Sequence, residues 1–176
     1  MKIRQARGFA LIDLLFVCGI IGLLCSIALP RLLLAKQAAG AASAVGSIRT
    51  ITSSQLTFAL TCGNGFYAPN LTTLGVAPPG SNEAFIAPAL SQADTLTRSG
   101  YIFRLEGTAF PGAPETCNGV AVGEAAQSFK AAADAAEPGN PRFFATNSNG
   151  LIWEHSSSLW ATMPEVGEPP AGHIFR

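Results

Sequence analysis

The stretch FALIDLLFVCGIIGLLCSIALP, residues 9–30, decides the fold of this chain. From Phe9 to Leu29 it runs for 21 residues, of which only Asp13 and Ser26 are polar. About 20 apolar residues, each rising 1.5 Å along a helix, cross a hydrocarbon core of roughly 30 Å. A helix at the surface of a soluble core would need a polar stripe, which this stretch lacks. The sequence therefore predicts a membrane-spanning helix that carries one carboxylate.

The charges on either side of this stretch predict its orientation. Lys2, Arg4 and Arg7 lie directly before it, whereas Arg31 and Lys36 follow in a longer segment. Basic residues favour the cytoplasmic side, so the N-terminus should stay in the cytoplasm while the rest crosses. The whole chain has a formal charge of zero, so no overall basic field points to nucleic acid. Without residues 1–8 it would lose three of its 11 basic residues and carry about −3.

A secretory signal peptide is the alternative interpretation of the same stretch. The apolar region of such a peptide has about 7 to 15 residues and ends at a small-residue cleavage site. Here the apolar run is longer, and the helix formers of PRLLLAKQAAG follow it. Cleavage behind the run is therefore not expected.

The helix is predicted to continue well past the membrane segment. Apolar and small side chains recur at three- and four-residue spacing on one face, at Leu34, Ala38, Ala41, Val45, Ile48 and Thr52. One helix from Phe9 to about Leu60 would be roughly 78 Å long. Pro30 lacks a backbone donor and should kink or loosen it. The turn formers of TCGNGFYAPN end it.

The remainder predicts a small antiparallel sheet. GYIFRLEG alternates, with Tyr101, Phe103 and Leu105 on one side, as a half-buried strand does. RFFATNSNGLIWEH predicts a hairpin around Asn149-Gly150. We also expect a strand over about Gln127–Ala132, and a proline-rich tail from Met163 that covers a sheet edge or hangs free. The predicted fold is α+β: a long N-terminal helix whose second half packs on a sheet of three to five strands.

The N-terminal residues resemble those of type IV pilins and of the pseudopilins of type II secretion. The shared elements are a short basic leader, Gly8 before Phe9, an acid at Asp13, Gly22 within the apolar run and Pro30 at its end. The strong match covers about the first 35 residues. This chain departs from the family at Asp13, where glutamate is usual, so the carboxylate has a shorter reach.

The resemblance implies a processing step and an assembly mechanism. In the family, prepilin peptidase cuts between the residues equivalent to Gly8 and Phe9, and the new amine is methylated. The acid, here Asp13, pairs with the N-terminal amine of a neighbouring subunit, and the helix between Gly22 and Pro30 can partly unwind. The chain would then consist of a leader (1–8), an apolar membrane and assembly helix (9–29), an amphipathic continuation (30–60) and a globular head (61–176).

The function that the resemblance implies is structural: a subunit of a type IV pilus or a pilus-like filament. One alternative is a type II secretion pseudopilin or a minor tip subunit. An alternative from another class is a membrane-anchored periplasmic binding domain. The implied partners are further copies of the chain, other pilins, prepilin peptidase and the bacterial inner membrane. The precursor would sit in that membrane with its head in the periplasm, and the assembled form in a surface pilus or a periplasmic pseudopilus.

The four cysteines fall into two classes. Cys18 and Cys25 lie in the apolar run, where they are expected to act as small hydrophobic residues. Cys62 and Cys117 lie in turn-rich segments of the exported part, where an oxidising compartment favours a disulfide across about 55 residues. Two free thiols or a metal site are the alternatives, although metal ligands are lacking nearby.

The sequence offers no catalytic constellation. The two histidines, His155 and His173, have no nucleophile or carboxylate at a recognisable motif spacing. We therefore expect no enzyme activity, cofactor or metal.

Overall fold

The computed structural model describes residues 11–138 and 140–176 and has an α+β architecture. A single long helix, α1, is followed by a six-stranded antiparallel sheet. The chain divides into two compact units, residues 1–38 and 39–176, and α1 contributes to both. The elements are α1 (Leu11–Thr61), α2 (Leu71–Leu74), a 3₁₀ turn (Pro88–Leu90), β1 (Thr95–Arg98), β2 (Tyr101–Glu106), β3 (Lys130–Ala135), β4 (Phe143–Asn147), β5 (Ile152–His155) and β6 (His173–Ile174).

The predicted helix is confirmed from Leu11 onward, and its predicted start at Phe9 lies outside the described residues. Its buried face begins at Ala41 and continues through Ala44, Ile48, Ile51, Gln55 and Phe58 at three- and four-residue spacing. Of the stripe read from the sequence, Ala41, Val45 and Ile48 are buried. Leu34 is 66% exposed, Ala38 is exposed and Thr52 is half-buried, so the stripe is buried only over its middle.

The sheet pairs every strand with its neighbour in sequence, in the order β1-β2-β3-β4-β5-β6. The predicted strand at Tyr101 and the predicted hairpin around Gly150 are confirmed as β2 and as the β4–β5 pair. The prediction of three to five strands is too low, because it omits β1 and β6. β1 is largely exposed, and β6 has only two residues.

The predicted strand Gln127–Ala132 is misplaced, since β3 spans Lys130–Ala135. Its central residues are alanines because both sides of this strand are covered. Ala131 and Ala133 belong to the core beneath α1, whereas Ala132 belongs to a second core on the opposite face of the sheet. Burial between two layers thus selects small side chains and overrides the helix preference of alanine.

The second core is formed by the segment that follows β5, residues 156–172, which we call the strap. Leu159 and Met163 of the strap pack with Trp153 of β5 against the back of the sheet. Asn147 of β4 holds the strap against the sheet. Its Nδ2 donates to the carbonyls of Pro164 (3.0 Å) and Gly167 (2.7 Å). The tail therefore covers one face of the sheet, and through β6 it also covers the β5 edge.

A disulfide joins Cys62, next to the end of α1, to Cys117 in the loop between β2 and β3. The amide of Cys117 also donates to the carbonyl of Cys62 at 3.1 Å. Cys62 is buried and Cys117 is exposed. The cross-link thus ties the helix end to a loop that has little regular structure of its own.

Tyr101 is the largest fully buried side chain of the head core, and it makes the stability of the head depend on pH. Asn140 Nδ2 donates to its hydroxyl at 3.1 Å. Burial raises the pKa of the Tyr101 phenol above its ordinary value, an effect that outweighs the opposing hydrogen bond from Asn140. The unfolded chain therefore releases this proton at a lower pH than the native chain does.

Above about pH 10, the ordinary pKa of tyrosine, we expect the native state to lose stability through this group. The contribution is complete below that pH and is lost as pH rises through the raised native pKa. Urea unfolding of the full chain in detergent should show a steeper alkaline decline than the Tyr101→Phe variant shows. Parallel curves for the two proteins would contradict the assignment. In the Tyr67→Phe variant, phenolate absorbance reports the ionisation of Tyr101 alone. The midpoint of that titration should lie above pH 10.

Removing the disulfide with Cys62→Ala/Cys117→Ala should lower the free energy of unfolding of the head by about 2 to 4 kcal/mol. The reason is that the cross-link closes a loop of 55 residues and restricts the unfolded chain. The matched control is Cys18→Ala/Cys25→Ala, which removes two free, exposed thiols. Urea unfolding should separate the two double variants, and equal midpoints would refute a stabilising role.

Candidate membrane and assembly helix

The first part of α1, Leu11 to Leu29, exposes nearly all of its apolar side chains. The exposed fraction of its large apolar residues runs from 46% at Ile20 to 79% at Leu11. This is the one helix among the described residues that is long and apolar enough to cross a membrane. Soluble proteins rarely expose contiguous apolar patches beyond a few hundred Å². By length, composition and exposure, the segment suits apolar surroundings such as lipid.

Asp13 is the only charged residue between Leu11 and Pro30. It lies in the first described turn of α1 and is exposed. Within residues 11–138 and 140–176 it forms no ion pair. Gly8 and Phe9, the predicted processing residues, lie outside the described residues.

Gly22 and Pro30, the other residues that the family resemblance singles out, both lie within α1. A Cβ atom at Gly22 would meet nothing within 4 Å, so an approaching helix would find open space there. The helix continues without a break through Pro30. Proline nevertheless leaves the carbonyl four residues earlier, at Ser26, without its usual helical donor.

Cys18 and Cys25 are free and exposed on the apolar part of the helix. They share that surface with large aliphatic side chains and have no acid or histidine beside them in the sequence. Cys62 and Cys117 are the pair that the sequence assigned to a disulfide, and they form it.

Neither histidine lies in an arrangement typical of catalysis. His155 Nδ1 is 2.9 Å from the hydroxyl of Ser157, two residues away, and His173 Nε2 is 3.8 Å from Glu154. Among the described residues no group of three or more His, Cys, Asp or Glu side chains could hold a metal ion.

A cleft of about 670 Å³ lies between Arg142 and β6. Its main polar feature is the ion pair between Arg142 Nε and Glu154 Oε1 at 2.5 Å. The hydrogen bond to Glu154 raises the pKa of the Arg142 guanidinium, against the opposing effect of burial. The charges of Arg142 and Glu154 are thus already paired with each other.

Gln55 is a structural anchor that the sequence interpretation missed. It is fully buried on α1, where its side-chain amide nitrogen, Nε2, donates to the carbonyl of Ala68 at 2.8 Å. Its Oε1 accepts from the amide of Ala68 at 2.9 Å. One side chain thereby satisfies both backbone groups of the loop residue. The available signal was a lone glutamine on the apolar face, between Ile51 and Phe58.

A second missed feature is the ion pair behind the sheet. Arg104 of β2 pairs with the buried Asp134 of β3. The ring of Trp160, on the strap, lies close to two cations: its centroid is 5.0 Å from Arg104 Cζ and 4.8 Å from Lys130 Nζ. The alternating pattern of β2 placed Arg104 opposite the core but gave no sign that the strap would cover it.

Comparisons of this chain with protein-family models, with curated proteins and with solved structures found no match.

Proposed function

We propose that this chain is the structural subunit of a type IV pilus or a pilus-like filament, assembled through α1 after its leader is removed. The observation that carries the proposal is the division of α1 into two uses. Residues 41–58 bury one face in the head, whereas residues 11–29 expose apolar side chains and a single acid. A filament of such subunits would bury the exposed part by packing many copies of the helix together.

Processing would create the partner for Asp13. Cleavage between Gly8 and Phe9 removes three basic residues and leaves one ammonium group on Phe9. In a filament, that group would lie against Asp13 of a neighbouring copy. A buried carboxylate that lacks a partner is strongly destabilising, so the pair would fix the register of neighbouring helices more than it would add net stability.

The same features support a membrane-inserted precursor. The basic leader favours retention of the N-terminus in the cytoplasm, which would place the head in the periplasm. The disulfide supports that placement because such bonds persist in oxidising compartments. A carboxylate in the membrane costs roughly 2.5 to 3.5 kcal/mol on insertion scales. Assembly would remove this cost by pairing the charge, so the cost would favour the filament over the membrane-inserted precursor.

Replacing Gly8 with a bulky residue, Gly8→Leu, should block processing, because the peptidase of the family cuts beside a small residue. Mass spectrometry should then find only the full-length chain, and surface filaments should disappear from sheared preparations. Ala6→Leu places the same side chain two residues away and should process normally. Filaments from unprocessed Gly8→Leu would refute the proposal. A natural chain that keeps its full mass and is absent from sheared filaments would favour a membrane-anchored binding domain.

Charge at position 13 should matter more than size. Asp13→Asn keeps the shape and removes the charge, so the yield of sheared filaments should fall at least tenfold, matching a lost pair of about 1.4 kcal/mol or more. Asp13→Glu keeps the charge and extends its reach, so it should assemble at least as well as the natural chain. Equal yields from Asp13→Asn and the natural chain would exclude a pairing role. The abundance of the chain in those filaments separates a major pilin from a minor tip subunit or a pseudopilin.

A further inference from the structure

The head contains three Asn-Gly steps: Asn64-Gly65, Asn118-Gly119 and Asn149-Gly150. In such a step the glycine offers no side chain to shield its amide nitrogen from the asparagine carbonyl carbon. All three glycines have positive φ, at 92°, 91° and 78°. Each glycine amide also donates to a nearby carbonyl, at 2.8, 3.2 and 2.9 Å. The three steps therefore share one chemistry and a positive φ at the glycine. They differ in what surrounds the asparagine, and Asn64 is the one asparagine of the three whose own φ is positive, at 52°.

Two of the three steps lie beside the disulfide. Asn64 follows Cys62 by two residues, and Asn118 directly follows Cys117. Closing a five-membered ring between an asparagine side chain and the next nitrogen requires both backbone angles to move. Next to a cross-link between two chain segments, that movement is restricted. Asn149 lies in the turn between β4 and β5, outside the segments joined by the disulfide.

The side-chain amides are also held differently. Asn118 Nδ2 donates to the carbonyls of Thr73 (3.0 Å) and Val76 (3.3 Å). Asn64 Nδ2 donates to the carbonyl of Glu115 at 3.3 Å. For Asn149 the described residues supply no acceptor for Nδ2. The nitrogen that would have to leave is thus retained at two of the steps and exposed to solvent at Asn149.

The carbonyl oxygen of the Asn149 side chain has a donor already aimed at it. The backbone N–H of Gly167, in the strap, donates to Asn149 Oδ1 at 3.1 Å. When a nucleophile adds to the neighbouring carbon, negative charge develops on that oxygen. A fixed N–H directed at a developing oxyanion lowers the barrier to addition.

We propose that Asn149 is a self-modification site that forms a succinimide with Gly150. After its bond to the Asn147 carbonyl opens, the Gly150 nitrogen loses its proton and adds to Asn149 Cγ. The Cγ–Nδ2 bond then breaks, and the amide nitrogen departs with that proton as ammonia. Water cleaves the ring at one of its two carbonyl carbons. One route leaves aspartate with the original main chain, and the other leaves isoaspartate, with the main chain running through Cγ.

The two products act differently on the strap. Aspartate adds a negative charge but keeps an oxygen where Gly167 can still donate to it. Isoaspartate inserts a methylene into the main chain of the hairpin turn and displaces that oxygen. The Asn147 contacts to Pro164 and Gly167 remain in both cases, so the change loosens one end of the strap and leaves the second core in place.

The test follows the three steps in one sample. The full chain in detergent micelles is incubated at mildly alkaline pH, digested with trypsin and analysed by mass spectrometry. The peptide Phe143–Arg176 reports Asn149 and contains no other Asn-Gly step. Isoaspartyl methyltransferase labels the isoaspartate product.

We expect conversion at Asn149 to be at least fivefold faster than at Asn118, which corresponds to about 1 kcal/mol, the scale of one hydrogen bond. In guanidinium, where only the shared dipeptide remains, the three rates should converge. Asn149→Gln should abolish the isoaspartate label in this peptide, because its ring would need six members. Equal rates at the three steps in the native chain, or a faster rate at Asn118, would overturn the proposal.

Reduction of the disulfide provides an independent arm. It should raise the rates at Asn64 and Asn118 at least fivefold, or about 1 kcal/mol, while the rate at Asn149 stays unchanged. The near-ultraviolet circular dichroism of Trp153 and Trp160 reports whether the strap side remains folded in the reduced chain. Unchanged rates at Asn64 and Asn118 in the reduced chain would overturn the assignment of protection to the disulfide.

Discussion

The packing of α1 against the sheet is the contact on which the rest of the head depends. Where this packing begins along α1, the helix backbone has to approach the sheet very closely. A Cβ atom at Gly40 would lie 2.9 Å from the carbonyl oxygen of Ser99 and 3.6 Å from the ring of Tyr101. The buried face therefore begins with glycine and alanine and reaches large side chains only at Ile48 and beyond. Small residues let the helix backbone meet the β1–β2 turn, and the larger ones fill the core where the layers separate.

The features that the sequence predicted correctly share one property: their signal is local. The apolar run and the helix formers fix α1, alternation fixes β2, and Asn149-Gly150 fixes the hairpin. The wrong or missing elements depend on distant contacts. The alanines of β3 form a strand because they lie between two cores, and Gln55 is buried because Ala68 needs a partner for both backbone groups. The proline-rich sequence of the strap has no hydrophobic period, so the sequence predicted only a tail there and not a layer that covers the sheet.

The candidate site likewise has features that local sequence predicted and one that it could not predict. The Cys62–Cys117 pair was predicted from the turn-rich segments around both cysteines and from the expectation that these segments are exported. The acid at Asp13 was visible in the sequence as one charge in an apolar run. What the sequence could not supply is the contrast between Asp13 and the other charges. Within the described chain the head pairs buried and half-buried charges with each other, as Arg104 does with Asp134 and Arg142 with Glu154. Asp13 alone combines an apolar setting with the absence of an ion pair in that part of the chain, which supports an intermolecular role for it.

The order of the strands bears on how the head can form. Because each strand pairs with the next in sequence, the sheet grows by successive hairpins and no strand has to be inserted between two others. Contacts between sequence neighbours incur little loop-closure entropy and favour rapid folding. If the head is exported behind its N-terminal helix, as we propose, α1 is in place before any strand emerges. The strands can then be added in the order of their arrival, and the strap and β6, the last to arrive, cover the back of the sheet and its final edge.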